Sequence, residues 1–358
     1  MALVTVVGTG FTGATQCFFG STAVGISLNA DGTSFTCTPP AGSGTVSIGI
    51  TSAYGAAIIG TGDKGYTYMD MPTTTSLGTT MGPVAGGTSV VIIGTNFYDR
   101  SSTAFPGSTL PVAFGITAST GGVINSTSSV TVSTPAFATI TGGAVAVNLN
   151  TPTGTASNLT YTYIALPTLT TTSFGPAGAS GPLGGGTQLR IIGTNLSTTS
   201  GVTMAGTKGA TLESINASGV TLLSPPSTTE GAKSIVVTTA GGTASGITFT
   251  YVALPGINVG GIDPAAGTTS GGTPVTITGS KLSNPQYVLF GITQGTITSS
   301  NAAGVTLIAV SPSSLSTGLV DISVRTAGGT GTLVNAYTYV GPMSISSITP
   351  NRGPTGGG

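Results

Sequence analysis

Apolar residues along this chain recur at every second position in short runs, and glycine or proline closes each run. The stretches "LVTVVGTGF" (3–11), "SVVIIGTNF" (89–97), "QLRIIGTNL" (188–196) and "PVTITGSKL" (274–282) each place an apolar side chain at alternate positions ahead of a glycine, several of them set off by Thr or Arg. That alternation predicts half-buried strands of antiparallel sheets. No stretch carries the spacing of an amphipathic helix, so the predicted fold class is all-β.

A second pattern divides the strands into modules. The segments "YTYMDMP", "YTYIALP", "FTYVALP" and "YTYVGP" put Tyr66 and Tyr68, Tyr161 and Tyr163, Phe249 and Tyr251, and Tyr337 and Tyr339 on one face of a closing strand. A proline follows each: Pro72, Pro167, Pro255 and Pro342. The glycine pair ahead of a threonine recurs at Gly86, Gly185 and Gly271, 99 and 86 residues apart. Units of that length, with short strands and glycine-rich turns, predict tandem β-sandwiches. The expected boundaries are 1–71, 72–166 (with an enlarged loop at 98–111), 167–254 and 255–341, followed by 342–358 as the lead-in strand of a further domain. Four-residue connections containing proline predict a stiff rod.

The order of these elements resembles the IPT/TIG family of immunoglobulin-like modules. The matching parts are a "P…G…GGT" lead-in, the "V-x-I-x-G-x-x-F" strand, a third strand ending "CFFG", "VAFG" or "VLFG", an "S/T-P" strand end and the closing "F/Y-T-Y". The segment "VTMAG" departs from the third-strand pattern. The resemblance extends over essentially the whole chain and implies four Ig-like sandwiches, the first without its lead-in strand.

The two cysteines, Cys17 and Cys37, both fall in the first unit, and with no His anywhere they read as either a disulfide or two buried thiols. In the alignment of repeats Cys17 takes the inward position of Val112 and Val288, and Cys37 lies opposite Leu223. The family resemblance implies a Cys17–Cys37 disulfide and an oxidising compartment.

The two ends of the sequence complement each other. The first unit opens on its second strand, and "SISSITPNRGPTGGG" repeats a lead-in with no domain behind it. From Gly271 to Gly357 is 86 residues, and joining Gly358 to Ala2, with Met1 set aside as initiator, would put Gly357 the same distance ahead of Gly86. Two expectations follow. Either the segment Met343–Gly358 of one copy completes the first sandwich of the next, giving a head-to-tail filament by strand addition, or the sequence is a window of a longer array. The expected assembly residues are Leu3, Val4, Thr5, Val6 and Val7 on one side and Ile345, Ile348, Pro350, Gly356, Gly357 and Gly358 on the other.

Charge changes the picture mainly by its scarcity. Of 358 residues only 4% are charged, against about 25% in ordinary soluble domains, and eight basic groups balance eight acidic ones. Such a surface offers little repulsion between molecules and favours association. The scattered basic residues argue against nucleic acid as a partner. No run of apolar residues reaches membrane-spanning length, so no membrane span is expected.

Chemistry has little to work with: there is no His, and Glu213 and Glu230 are the only glutamates. No catalytic residue, cofactor or metal is expected. The stretches "GTGFTG" (8–13) and "GTGDKG" (60–65) match a dinucleotide fingerprint, but each is placed between strands rather than ahead of a helix and reads as turn chemistry. The loop from Tyr98 to Pro111, with Tyr98, Asp99, Arg100 and Phe105, exceeds its counterparts by nearly a strand pair and is the expected ligand or lateral-contact loop. The leading expectation is a secreted, non-enzymatic structural subunit of an extracellular or surface filament, its partner a copy of itself. The alternatives are an adhesin or stalk that binds glycans or a cell surface, and a virion surface fibre.

Overall fold

The computed structural model describes residues 3–59, 65–98, 108–170, 179–205 and 209–357, with the side chains of 57–59 also left aside. Among these residues the chain is all-β, with tandem Ig-like sandwiches and no helix. Two compact units are formed, one from residues 1–80, 85–137 and 144–162, the other from 81–84, 138–143 and 163–358.

In the second unit the alternation read from the sequence becomes two facing layers. Strand Gln188–Thr194 lies between Thr168–Thr170 and Gly219–Leu223, with Thr211–Asn216 beyond. The opposing sheet runs Ser180–Pro182, Gly242–Val252, Gly231–Thr239, Thr199–Met204. Leu189 and Ile191 point inward and Arg190 outward, so the first sheet meets Val202, Met204, Ile235, Val237, Phe249 and Tyr251 across a closed core. Toward the C-terminus eight strands form one continuous sheet instead. Its bridge is Thr293–Ser300, long enough to pair with Tyr287–Phe290 at one end and Thr306–Val310 at the other, with a register shift between Ile297 and Ser299. A second core forms inside it around Val275, Ile277, Phe290, Leu307, Tyr337 and Tyr339.

A short lead-in strand is repeated in this unit. Ser180–Pro182 and Ala266–Thr268 each pair parallel with the long closing strand, whereas the strands just before them, Thr168–Thr170 and Gly256–Asp263, pair antiparallel with the apolar strands Gln188–Thr194 and Pro274–Ser280. Each lead-in therefore splits its hydrogen bonds between the two layers and covers both edges of the core.

In the first unit, Ser89–Thr95 is likewise enclosed between Thr73–Leu77 and Ser129–Ser133. Nearer the N-terminus a six-stranded sheet runs Val4–Val7, Ser34–Cys37, Thr22–Leu28, Ala14–Phe19, Ile48–Ser52, Gly55–Ile59. The stretch Gly8–Gly13 connects two strands of this sheet, as turn chemistry predicts, and most of its counterpart from Gly60 lies outside the described residues. Cys17 and Cys37 face each other in its core as thiols with sulfurs 3.1 Å apart, Cys37 donating to Cys17. The fold brings together the two side chains that the resemblance pairs. Burial pushes Cys17 up to about 12 and Cys37 upward as well.

Candidate assembly site

Strand Val4–Val7 pairs with Ser34–Cys37 on one side, and among the described residues its other edge has no partner strand. The corresponding strands are enclosed on both sides, and the difference shows in the core. Val90, Ile92, Leu189, Ile191, Val275 and Ile277 are at most 1% exposed, but Val4 and Val6, at the same places in the repeat, are only half-buried. Leu3 and Val7 stand out at 65% and 77% exposure. An open edge of this kind leaves backbone donors and acceptors unpaired beside an uncovered strip of apolar surface.

A second signal lies in the "S/T-P" strand ends. Thr134, Ser224 and Ser311 are buried, and each hydroxyl accepts the backbone N–H of the threonine after a glycine pair: Thr88 at 3.0 Å, Thr187 at 3.0 Å and Thr273 at 3.2 Å. The proline beside the serine has its own task, since Tyr251 donates its hydroxyl to the Pro225 carbonyl and Tyr339 to that of Pro312. Thr38 occupies the matching position in the N-terminal sheet and is exposed. Sequence reasoning recognised the motif without the clasp it makes. The recurrence of Ser or Thr at a fixed distance from a glycine pair was the available clue.

The segment expected to fill such a gap is present at the other end of the sequence. Met343, Ile345 and Ile348 are 102%, 83% and 68% exposed, and Pro350, Gly356 and Gly357 are exposed too, while Gly358 lies outside the described residues. Gly357 nevertheless adopts the left-handed turn of Gly86, Gly185 and Gly271, at φ 75°. It donates its N–H to the Pro354 carbonyl, as Gly185 does to Pro182 and Gly271 to Thr268. The lead-in turn is thus formed here as in the earlier repeats.

The enlarged loop gives a second candidate. Asp99, Arg100 and Phe105 lie outside the described residues. Tyr98, at its root, is half-buried and lines a cleft of about 410 Å³ with Tyr68, Asp70 and Asn96. Burial raises the Tyr68 hydroxyl above its usual range. Among the described residues there is no group of three or more His, Cys, Asp or Glu side chains suited to a metal, and no helix long and apolar enough to cross a membrane.

Residues 169–251 and 258–340 each match the family model of the IPT/TIG domain. No curated protein matches the chain. Among solved structures, the full extracellular region of plexin A4 is similar at 14% identity and a TM-score of 0.37, over 98% of this chain and 42% of that one. A xyloglucan-locus protein of Bacteroides uniformis is 19% identical over 60% of this chain and 58% of its own, with a TM-score of 0.23. The Escherichia coli adhesin FdeC is 14% identical over 74% of this chain and 95% of its own, with a TM-score of 0.28. The chain spans less than half the length of the plexin chains it resembles.

Proposed function

We propose that this protein, in which IPT/TIG domains stand in tandem, is a non-catalytic structural subunit of an extracellular or surface filament, assembled head to tail by β-strand complementation. The segment Met343–Gly358 of one copy adds to the free edge of Val4–Val7 in the next, and its glycine-pair turn docks against Thr38. The observation that carries this reading is the half-burial of Val4 and Val6 where every counterpart is sealed. Covering that strip removes apolar surface from water at about 25 cal/mol per Å² and pairs the free edge at the same time. A head-to-tail contact that does not close on itself extends without limit.

The test compares the whole chain with a version lacking residues 343–358, by electron microscopy and light scattering. The whole chain is expected to form filaments, the truncated chain to remain monomeric, and added peptide 343–358 to cap filament growth. Filaments of normal length from the truncated chain, or a whole chain that stays monomeric at high concentration, would overturn the proposal.

A second reading, a carbohydrate-binding stalk, rests on the cleft at Tyr98. Two tyrosines beside a carboxylate and an amide combine a flat apolar surface for stacking with polar groups able to fix orientation.

A further inference from the structure

The connections between successive sheets are held in one recurring way. At the turn of each long hairpin a glycine lies against the residue that precedes a linker proline. A Cβ on Gly154 would lie 2.7 Å from Met71 Cε, on Gly242 2.7 Å from Leu166 Cδ2, and on Gly329 2.6 Å from Leu254 Cδ2. The residue before that glycine also meets the linker. Thr153 donates its hydroxyl to the Asp70 carbonyl at 3.0 Å, and a Cβ on Gly241 or Gly328 would sit 2.1 or 1.9 Å from the carbonyl oxygen of Ala165 or Ala253. Asn96 and Asn195, both in the left-handed conformation, donate their side-chain amides to the carbonyls of Met71 and Leu166 from the other side.

The N-terminal sheet has the same seat, and among the described residues nothing fills it. Its hairpin turns at Ala53 and Tyr54, and a Cβ on Gly55 would meet no atom within 4 Å. Around that turn lies a cleft of about 280 Å³ lined by Gly10, Phe11, Ala14, Ile50, Tyr54 and Gly55. Two substitutions distinguish it. Tyr54, 89% exposed, stands where the other hairpins carry Thr153, Gly241 and Gly328. Gly10 stands where the others carry Asn96, Asn195 and Lys281, and shares their left-handed backbone.

One linker has changed in the opposite sense. "YTYVGP" is a residue shorter than "YTYIALP" and "FTYVALP", and glycine replaces the bulky residue before proline. The seat gained a large side chain where the linker lost one.

The geometry points to a joint between copies built like the joints inside the chain: Gly341–Pro342 of one molecule seats on the Tyr54–Gly55 turn of another, and Tyr54 fills the space that Met71, Leu166 and Leu254 fill elsewhere. This rests on the head-to-tail reading above and adds what holds two molecules at a set angle once the strand is exchanged. The partner it fits is a second copy of this chain, because the seat repeats an interface this chain already makes with its own linkers.

Volume compensation tests it. Tyr54→Gly is expected to raise the critical concentration for filament formation at least about tenfold, by the usual loss on truncating a central aromatic. Lengthening the linker by replacing Gly341 with Ala-Leu is expected to do the same through overpacking. Combining the two changes should restore assembly to near the unaltered level. Tyr54→Thr, which copies Thr153, serves as a second substitution, and circular dichroism verifies that each variant is folded. If the folded variants assemble like the unaltered chain, or the combined change is no better than either alone, the joint is not built this way while strand complementation stands. If the unaltered chain forms no filaments, it is the assembly reading that fails.

Discussion

Cys17 illustrates how a single side chain reports the state of its core. Its thiol is 0% exposed, and burial, with Cys37 beside it, holds its pKa at about 12 against an ordinary 9.0. A group that binds its proton more tightly when folded contributes stability that is complete below the unfolded pKa and disappears as pH rises through the folded one. The first unit is therefore expected to lose stability between about pH 9 and pH 12. Urea titrations of the unaltered chain and of Cys17→Val across that range provide the measurement. The variant should fall less steeply, and parallel curves would show that the thiol contributes nothing. Sequence alone left this pair open between a disulfide and two thiols, because the distance between two strands twenty residues apart is a property of the packed sheet.

At the scale of elements, the informative comparison is between strands with the same pattern and different cover. Ile92 is fully buried between two partner strands, and Ile92→Ala is expected to cost about 2–4 kcal/mol. Val6, its counterpart on the open edge, should cost less than about 1 kcal/mol in the monomer when changed to Ala, since part of its surface is already wet. In the filament the same change should raise the critical concentration severalfold, because the missing methyls then leave a cavity. Denaturation of the truncated monomer and sedimentation of the whole chain separate the two effects. Equal losses for Val6→Ala and Ile92→Ala in the monomer would mean that the edge is covered by other means. The runs "VTVV" and "VVII" are both rich in branched apolar residues, so the sequence predicted a strand correctly in both places. It could not show which one lacked a neighbour.

At the scale of the whole molecule, the neutral surface frames both functional readings. Among the described residues a single salt bridge is present, Lys281 to Glu230 at 2.9 Å, with both side chains about half exposed, and such pairs contribute little. Recognition therefore falls to backbone edges, hydroxyls and aromatic faces. For the stalk reading, titration calorimetry with cellohexaose is expected to show binding that weakens at least about tenfold in Tyr98→Ala. No binding at millimolar sugar, or equal binding by the variant, would remove that reading.

Periodicity and recurring motifs in the sequence were enough to determine an all-β chain, its inward and outward positions, the closing aromatics and the likeness of its last segment to a lead-in. These are local properties, written by side chains two residues apart or by turns that need glycine. Only the tertiary structure decided what those elements cover: the incompletely buried Val4 and Val6, the exposed Thr38, the open seat at Gly55 and the cleft at Tyr98. Each depends on the space between strands far apart in the chain, and that space is set by how volumes fit when the sheets close.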